Sequence, residues 1–295
     1  MMTNKRRFAP IAVTLLALCL APLLHAQGRA ECSVIQSDIL QRPIRYCALL
    51  PASFDQDRTR RYPVLYYLHG LGDNEQSLLN LGGWDLISEL RRKGKIDDFI
   101  VLAPFAGRTF YVNSENGQFR YEDFFLKEFM PQMEKKYRVE GTRATRGITG
   151  VSMGGYGALR FAFKYPDQFA AVSAQMPALI TELPRDFNKG GPGSPGALVR
   201  EVFGSPAYFD RNNVFYFART QPAASLRRLK IYFDAANNDD FGFEQGAQQL
   251  HELLDSRSIP NEFHLYPGRH DAQFIIRGFA DVLRFQWKII GVEEH

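Results

Sequence analysis

Gly150-Val151-Ser152-Met153-Gly154-Gly155 is the stretch that decides the fold of this chain. It fits G-x-S-x-G, the pattern of a nucleophile elbow, in which a serine sits on an abrupt turn from a strand into a helix. The flanking sequence agrees with that reading. Residues 145–150 lean to β structure, and 156–165, rich in Ala, Leu and Phe, read as a helix that Pro166 stops. The motif glycines have a steric task, because the backbone beside a strained serine comes too close to its neighbours to carry a Cβ. So placed, the Ser152 hydroxyl stands at the top of a sheet. The N–H of Met153 can then face an oxyanion, and the helix N-terminus adds a partial positive charge.

Working outward, strand-like runs recur at 32–39, 44–50, 64–69, 99–103, 145–150, 170–174, 229–234 and 262–266, and from Val64 onward helical patterns separate them. Residues 84–92 place Leu86, Ile87 and Leu90 on one face. Residues 122–137 space Phe125, Phe129, Met133 and Tyr137 by four, with Pro131 as a kink, and 243–254 repeat the pattern with Phe243, Ala247, Leu250 and Leu254. A last helix carries Ile275, Phe279, Val282 and Leu283. This alternation predicts an α/β fold: a mainly parallel central sheet with helices on both faces and an antiparallel hairpin at its N-terminal start. The stretch 181–224 breaks the rhythm, and its run from Gly190 to Gly196 is expected to hold no regular element. It reads as a lid-like insertion over the C-terminal edge of the sheet, shaping a substrate pocket.

Residues 1–26 form a separate module. Lys5, Arg6 and Arg7 precede an apolar run from Ala9 to Leu24, and Leu24-His25-Ala26 offers a cleavage site before Gln27, so the segment reads as a secretory signal peptide. The run is too short to span a bilayer and Pro10 and Pro22 interrupt it. Lipid attachment at Cys19 is not expected, since Leu18 stands where a small residue is wanted. The expected location is therefore secreted or periplasmic, with no membrane span after cleavage. The formal net charge of +4 falls to +1 once Lys5, Arg6 and Arg7 are removed, and no basic tract interleaved with aromatics remains, which argues against a nucleic-acid partner. Residues 27–295, from a chain with 45% hydrophobic content, read as a single large domain with neither repeat nor linker. Cys32 and Cys47 lie in the two hairpin strands, and an oxidising compartment allows them to pair.

A serine nucleophile needs a base within hydrogen-bond reach and an acid to orient that base, in chain order Ser, Asp/Glu, His for this architecture. Of the histidines after residue 26, only His270 lies in a loop after the last strand, in Pro267-Gly268-Arg269-His270-Asp271. His251 falls inside a helix, His264 inside a strand and His295 at the terminus. His69 comes too early to be the base, and more plausibly shapes the oxyanion loop His69-Gly70-Leu71-Gly72. One oxyanion donor is assigned to the N–H of Leu71 and the other to that of Met153. Asp234, Asp239 and Asp240 compete as the acid. Asp234 belongs to the strand itself, so Asp239 is the first choice and Asp240 the alternative, the unused one capping the helix near Phe243. Tyr111, Asn113 and Trp84 are candidate substrate-binding residues, although Trp84 suits core packing equally.

The extended elbow Ser152-Met153-Gly154-Gly155-Tyr156-Gly157-Ala158-Leu159, the segment His69-Gly70-Leu71-Gly72, Tyr121-Glu122-Asp123-Phe124 leading to Met130-Pro131, and the closing Pro-Gly-x-His together resemble the esterase D superfamily of α/β-hydrolases. That group includes S-formylglutathione hydrolases, feruloyl and acetylxylan esterases and mycolyltransferases, and the resemblance covers most of residues 33–288. It implies a carboxylic-ester hydrolase fold with Ser152, Asp239 and His270 as the triad, needing neither a metal nor an organic cofactor. The expected partner is a small-molecule or glycan ester, carrying short acyl, acetyl or feruloyl groups. The same triad would serve an acyltransferase of the mycolyltransferase type, and the scaffold without chemistry would be a binding module. The chain departs from its relatives at Gln175-Met176, where Ser-Gly is common, and at Ala272-Gln273, where an aromatic often follows the histidine. Both positions are expected to border the pocket.

Overall fold

The computed structural model describes residues 28–291, so the expected signal segment and His295 lie outside the described residues. Eight strands form one sheet: β1 (Arg29–Ser37), β2 (Arg42–Leu50), β3 (Val64–Leu68), β4 (Ile100–Pro104), β5 (Arg146–Val151), β6 (Ala171–Gln175), β7 (Lys230–Ala236) and β8 (Glu262–Tyr266). Their spatial order is β1-β2-β4-β3-β5-β6-β7-β8. The β1–β2 hairpin and the β2–β4 pair are antiparallel, and every other pair is parallel. In the hairpin Cys32 stands opposite Cys47, and their sulfurs are bonded.

The longer helices are α1 (Gly83–Arg92), α2 (121–136), α3 (Met153–Lys164), α4 (Pro195–Phe203), α5 (Pro206–Asn212), α6 (Val214–Thr220), α7 (Phe243–Ser256) and α8 (Ala272–Ile290). Helix α2 runs through Tyr121–Phe124, a wider turn at Phe125–Phe129 and Met130–Lys136. The wide turn falls just before Pro131, whose ring removes an N–H and crowds the preceding turn. The two faces follow from strand alternation. Val64, Tyr66 and Leu68 of β3 join the core under α2, α3 and α7, whereas Leu65 and Tyr67 join the core under α1 and α8. Strands β3, β4 and β6 are buried along their whole length, as a parallel sheet with two covered faces requires.

The insertion corrects one expectation, because helices α4, α5 and α6 occupy much of it. Ser194 caps α4 by accepting from the Ala197 N–H, and Pro195 and Gly196 sit in its first turn. A proline is pre-organised for that position. A Cβ at Gly196 would lie 2.5 Å from the Phe187 nitrogen, so the glycine marks close packing rather than looseness.

Candidate active site

The elbow is strained as its pattern demands. Ser152 has φ 54° and ψ −117°, between the end of β5 and the first turn of α3. The two inner glycines of the motif are obligatory on steric grounds: a Cβ at Gly154 would lie 1.9 Å from the Leu68 carbonyl oxygen, and one at Gly150 would lie 2.3 Å from the Gly154 oxygen. Backbone contacts fix the turn from the other side. The Ser152 N–H donates to Gln175 O at 2.9 Å, and the Ala178 N–H donates to Ser152 O at 3.0 Å.

His270, in the turn between β8 and α8, reaches this serine. Its Nε2 lies 2.9 Å from Ser152 Oγ, and its Nδ1 lies 2.7 Å from Asp239 Oδ2. A carboxylate only accepts, so Nδ1–H donates to Asp239 and Nε2 is left free to accept the serine proton. The Asp239 side chain is fully buried and also accepts from the Phe241 N–H at 2.9 Å. Asp240 points elsewhere and pairs with Arg269. It does not cap α7 either. The residue before that helix is Gly242, in a left-handed conformation with no side-chain cap. Asp234 lies within β7, wholly buried, and accepts from the Met176 N–H and the Tyr232 hydroxyl, each at 3.3 Å. Burial pushes its carboxyl up to about 7.

On the side of the expected oxyanion donors, His69 ties two loops together. Its Nδ1–H donates to Gly70 O at 2.8 Å, and its Nε2 accepts from the Ala106 N–H at 2.9 Å, so one neutral ring ties the turn after β3 to the loop after β4. Burial holds its pKa below the ordinary histidine value, which preserves that neutral form. The Leu71 N–H makes no backbone hydrogen bond among the described residues, and Met153, as the first residue of α3, contributes one of the unpaired N–H groups of the helix start.

Above Ser152 opens a cavity of about 710 Å³, walled mainly by apolar side chains that include Phe110, Ile180, Leu198, Val199, Phe241 and Ile275. Three expected binding residues are not among its walls. Tyr111 is fully buried with its hydroxyl donating to His69 O; Asn113 accepts from the Asp123 N–H; Trp84 packs into the core beneath α1. Phe110 and Tyr111 are consecutive left-handed residues, with φ 49° and 58°. Phe110 lines the cavity, while Tyr111 faces into the core. Gln175 and Met176 also lie behind the elbow rather than on the cavity wall, since Gln175 donates to Ile275 O and Met176 is fully buried. Of the pair after the histidine, Ala272 lines the cavity and Gln273 does not. Phe241, missed in the sequence, is 67% exposed and meets the His270 ring edge-on at 5.0 Å between centroids. Its position directly after the two acids was the available signal.

No group of three or more metal-ligating side chains occurs among the described residues, and no helix among them is long and apolar enough to cross a membrane. The Esterase family model matches residues 37–284. The chain belongs to the Esterase family. It is 30% identical over 255 residues to an esterase of Mycobacterium tuberculosis, covering 75% of this chain and 51% of that protein, so it spans about half the length of that relative. It is 27% identical over 265 residues to an acetyl esterase of Caldicellulosiruptor saccharolyticus, covering 85% and 94% of the two chains. Among solved structures, a ferulic acid esterase superposes with a TM-score of 0.79 at 29% identity, over 90% of this chain and 99% of the other. This member of the Esterase family therefore has the α/β-hydrolase fold.

Proposed function

We propose that the protein is an exported serine carboxylic-ester hydrolase that works through an acyl-enzyme. The observation that carries this reading is the unbroken contact chain from Asp239 through His270 to Ser152 at the foot of a large apolar cavity. Ser152 Oγ attacks the ester carbonyl while His270 Nε2 takes its proton; Asp239 holds the imidazole in the tautomer that leaves Nε2 basic. The N–H groups of Leu71 and Met153 stabilise the tetrahedral oxyanion, a donor being worth on the order of 3 kcal/mol in the transition state. His270 then returns the proton to the departing alcohol, and water attacks the acyl-enzyme by the same route in reverse. Every step is carried by side chains and backbone of this chain. Short acyl, acetyl or feruloyl groups on glycans are the proposed substrates, in line with relatives named acetyl esterase and ferulic acid esterase. The segment 1–26 and the Cys32–Cys47 disulfide support export.

A fluorophosphonate probe tests the chemistry directly. Labelling is expected in the native protein and absent in Ser152→Ala, and a native protein that takes no label would remove the reading. Release of free acid from p-nitrophenyl acetate in the presence of excess trehalose distinguishes hydrolysis from transfer: transfer products exceeding free acid would make the protein an acyltransferase.

A further inference from the structure

Beside the catalytic cavity lies a second one of about 330 Å³, and Arg108 lines both. The second cavity also receives Arg42, from the first position of β2, together with Thr109, Gln118 and Phe119. Neither guanidinium makes a hydrogen bond, an ion pair or a ring contact among the described residues. Neighbouring arginines behave differently. Arg45 pairs with Glu75 at 2.8 Å and lies over the Phe105 ring, and Arg120 pairs with Asp123. Glu201 of α4 is the one carboxylate on the walls of the second cavity, and it is bonded to neither arginine. Two cations against one acid leave the hollow electropositive, next to an otherwise apolar substrate cavity.

The loop that presents Arg108 is held in place at some cost. Phe110 and Tyr111 adopt left-handed conformations in succession, which bulky residues rarely do. Three contacts hold that shape: Ala106 N–H to His69 Nε2, the Tyr111 hydroxyl to His69 O at 2.9 Å, and the Tyr121 hydroxyl to Phe105 O at 3.1 Å. Strain maintained beside a catalytic cavity fixes the backbone that carries Arg108 at the boundary between the two hollows. A guanidinium fork matches a carboxylate in plane and spacing, and two of them with an amide and a hydroxyl nearby form a carboxylate-binding set.

We propose that this second cavity is a subsite for a carboxylate carried by the substrate, such as that of a uronic acid, gripped by Arg42 and Arg108. The proposal rests on the hydrolase reading above and names a class of substrate for the same site. The carboxylate has two chemical sources: the alcohol part of the ester, as in an acidic sugar, or the far end of a dicarboxylic acyl group. Two matched pairs of esters separate them. One pair is an acetylated glucuronic acid disaccharide and the same compound with its carboxyl reduced to an alcohol; the other is naphthyl hemisuccinate and naphthyl butyrate.

The acidic sugar ester is expected to exceed its reduced form in kcat/KM by about fivefold or more at low salt, as a charge-assisted contact exposed to solvent allows. The preference should shrink as salt screens it, fall toward parity in Arg42→Gln and Arg108→Gln, and survive in part in Arg108→Lys, with thermal unfolding confirming that each variant is folded. A preference confined to the hemisuccinate pair, and lost in the same variants, would support the subsite and assign the carboxylate to the acyl part. If p-nitrophenyl acetate is turned over but neither pair shows a preference, or both glutamine variants keep it, the subsite is overturned while the hydrolase reading stands. If no ester at all is turned over, the hydrolase reading fails first and the subsite falls with it.

Discussion

Ser152 stands on a turn whose close neighbours are backbone, whereas the roof above it, from Ile180 to Thr220, is tied down by side chains. Beneath the serine, Gly154 rests against the Leu68 carbonyl and the Ser152 N–H and C=O both bond to the strand-end segment Gln175 to Ala178. Over it, the Asn212 carbonyl accepts from the Tyr156 hydroxyl at 2.7 Å and from Arg160 Nε at 3.1 Å, while Asn213 Nδ2 donates to Ile180 O at 2.8 Å. Arg160 is fully buried and pairs with Glu122 at 2.7 Å. Burial alone would raise the Glu122 carboxyl, but Arg160 and Lys164 hold it below its ordinary value. A floor built from backbone contacts leaves its mark in a short glycine pattern. A roof anchored by partners 52 and 56 residues apart leaves no such local mark.

If the floor carries chemistry and the roof carries shape, removing the nucleophile must separate activity from stability completely. Ser152→Ala is expected to lower kcat on p-nitrophenyl acetate by about 10⁶-fold while the thermal midpoint stays within a degree or two. Substantial residual turnover would assign the nucleophile to another residue. Next in size is the choice of acid. Asp239→Asn should cost about 10⁴-fold in kcat through the wrong imidazole tautomer, and Asp240→Asn, which breaks only an exposed pair with Arg269, should change kcat less than about threefold. Equal losses in the two variants would refute the contact chain as the catalytic one.

The roof anchor is tested by Arg160→Met, which leaves Glu122 buried with less compensation. The expected cost is about 3–5 kcal/mol, a fall of roughly 10 °C in the thermal midpoint for a domain of this size. A variant as stable as the native protein would show that the anchor is dispensable. Asp234 belongs to the floor and gives it a pH signature. Its folded pKa of about 7 lies above the ordinary 3.8, so its contribution to stability is full below about pH 4 and is lost as pH rises toward 7. Asp234→Asn should therefore gain on the native protein between pH 5 and pH 8, by on the order of 2–4 kcal/mol in urea unfolding. The same difference at both pH values would contradict the assignment. The smallest effect belongs to the roof lining: Leu198→Ala should shift acyl preference toward longer chains by about three- to tenfold in kcat/KM, read from a series of p-nitrophenyl esters.

All eight strands were legible because each is a short β-leaning run, and most of the sheet carries helices between such runs. The pairing of Ser152 with His270 was legible too, one residue from its glycines and the other from its place after the last strand. Asp239 and Asp240 were not separable along the chain, since adjacent residues share every local signal and differ only in direction. One points inward to His270 and the other outward to Arg269. At the cavity wall it is Phe110 and not its neighbour Tyr111 that lines the hollow, and no pattern in 105–113 announces the two left-handed residues or which of them faces in. The helices of the insertion were hidden by its Gly and Pro content, which marks close packing and a helix start as readily as a loop.

The strand-helix rhythm, the elbow and the chain order of Ser152, an acid and His270 can be read along the chain, because these depend on periodicity and on steric demands within a few residues. Which acid reaches His270, which aromatic lines the cavity and that Arg42 and Arg108 share a hollow are set by the folded chain. Those outcomes depend on the direction of single side chains brought together from distant parts of the chain, and direction is set by packing.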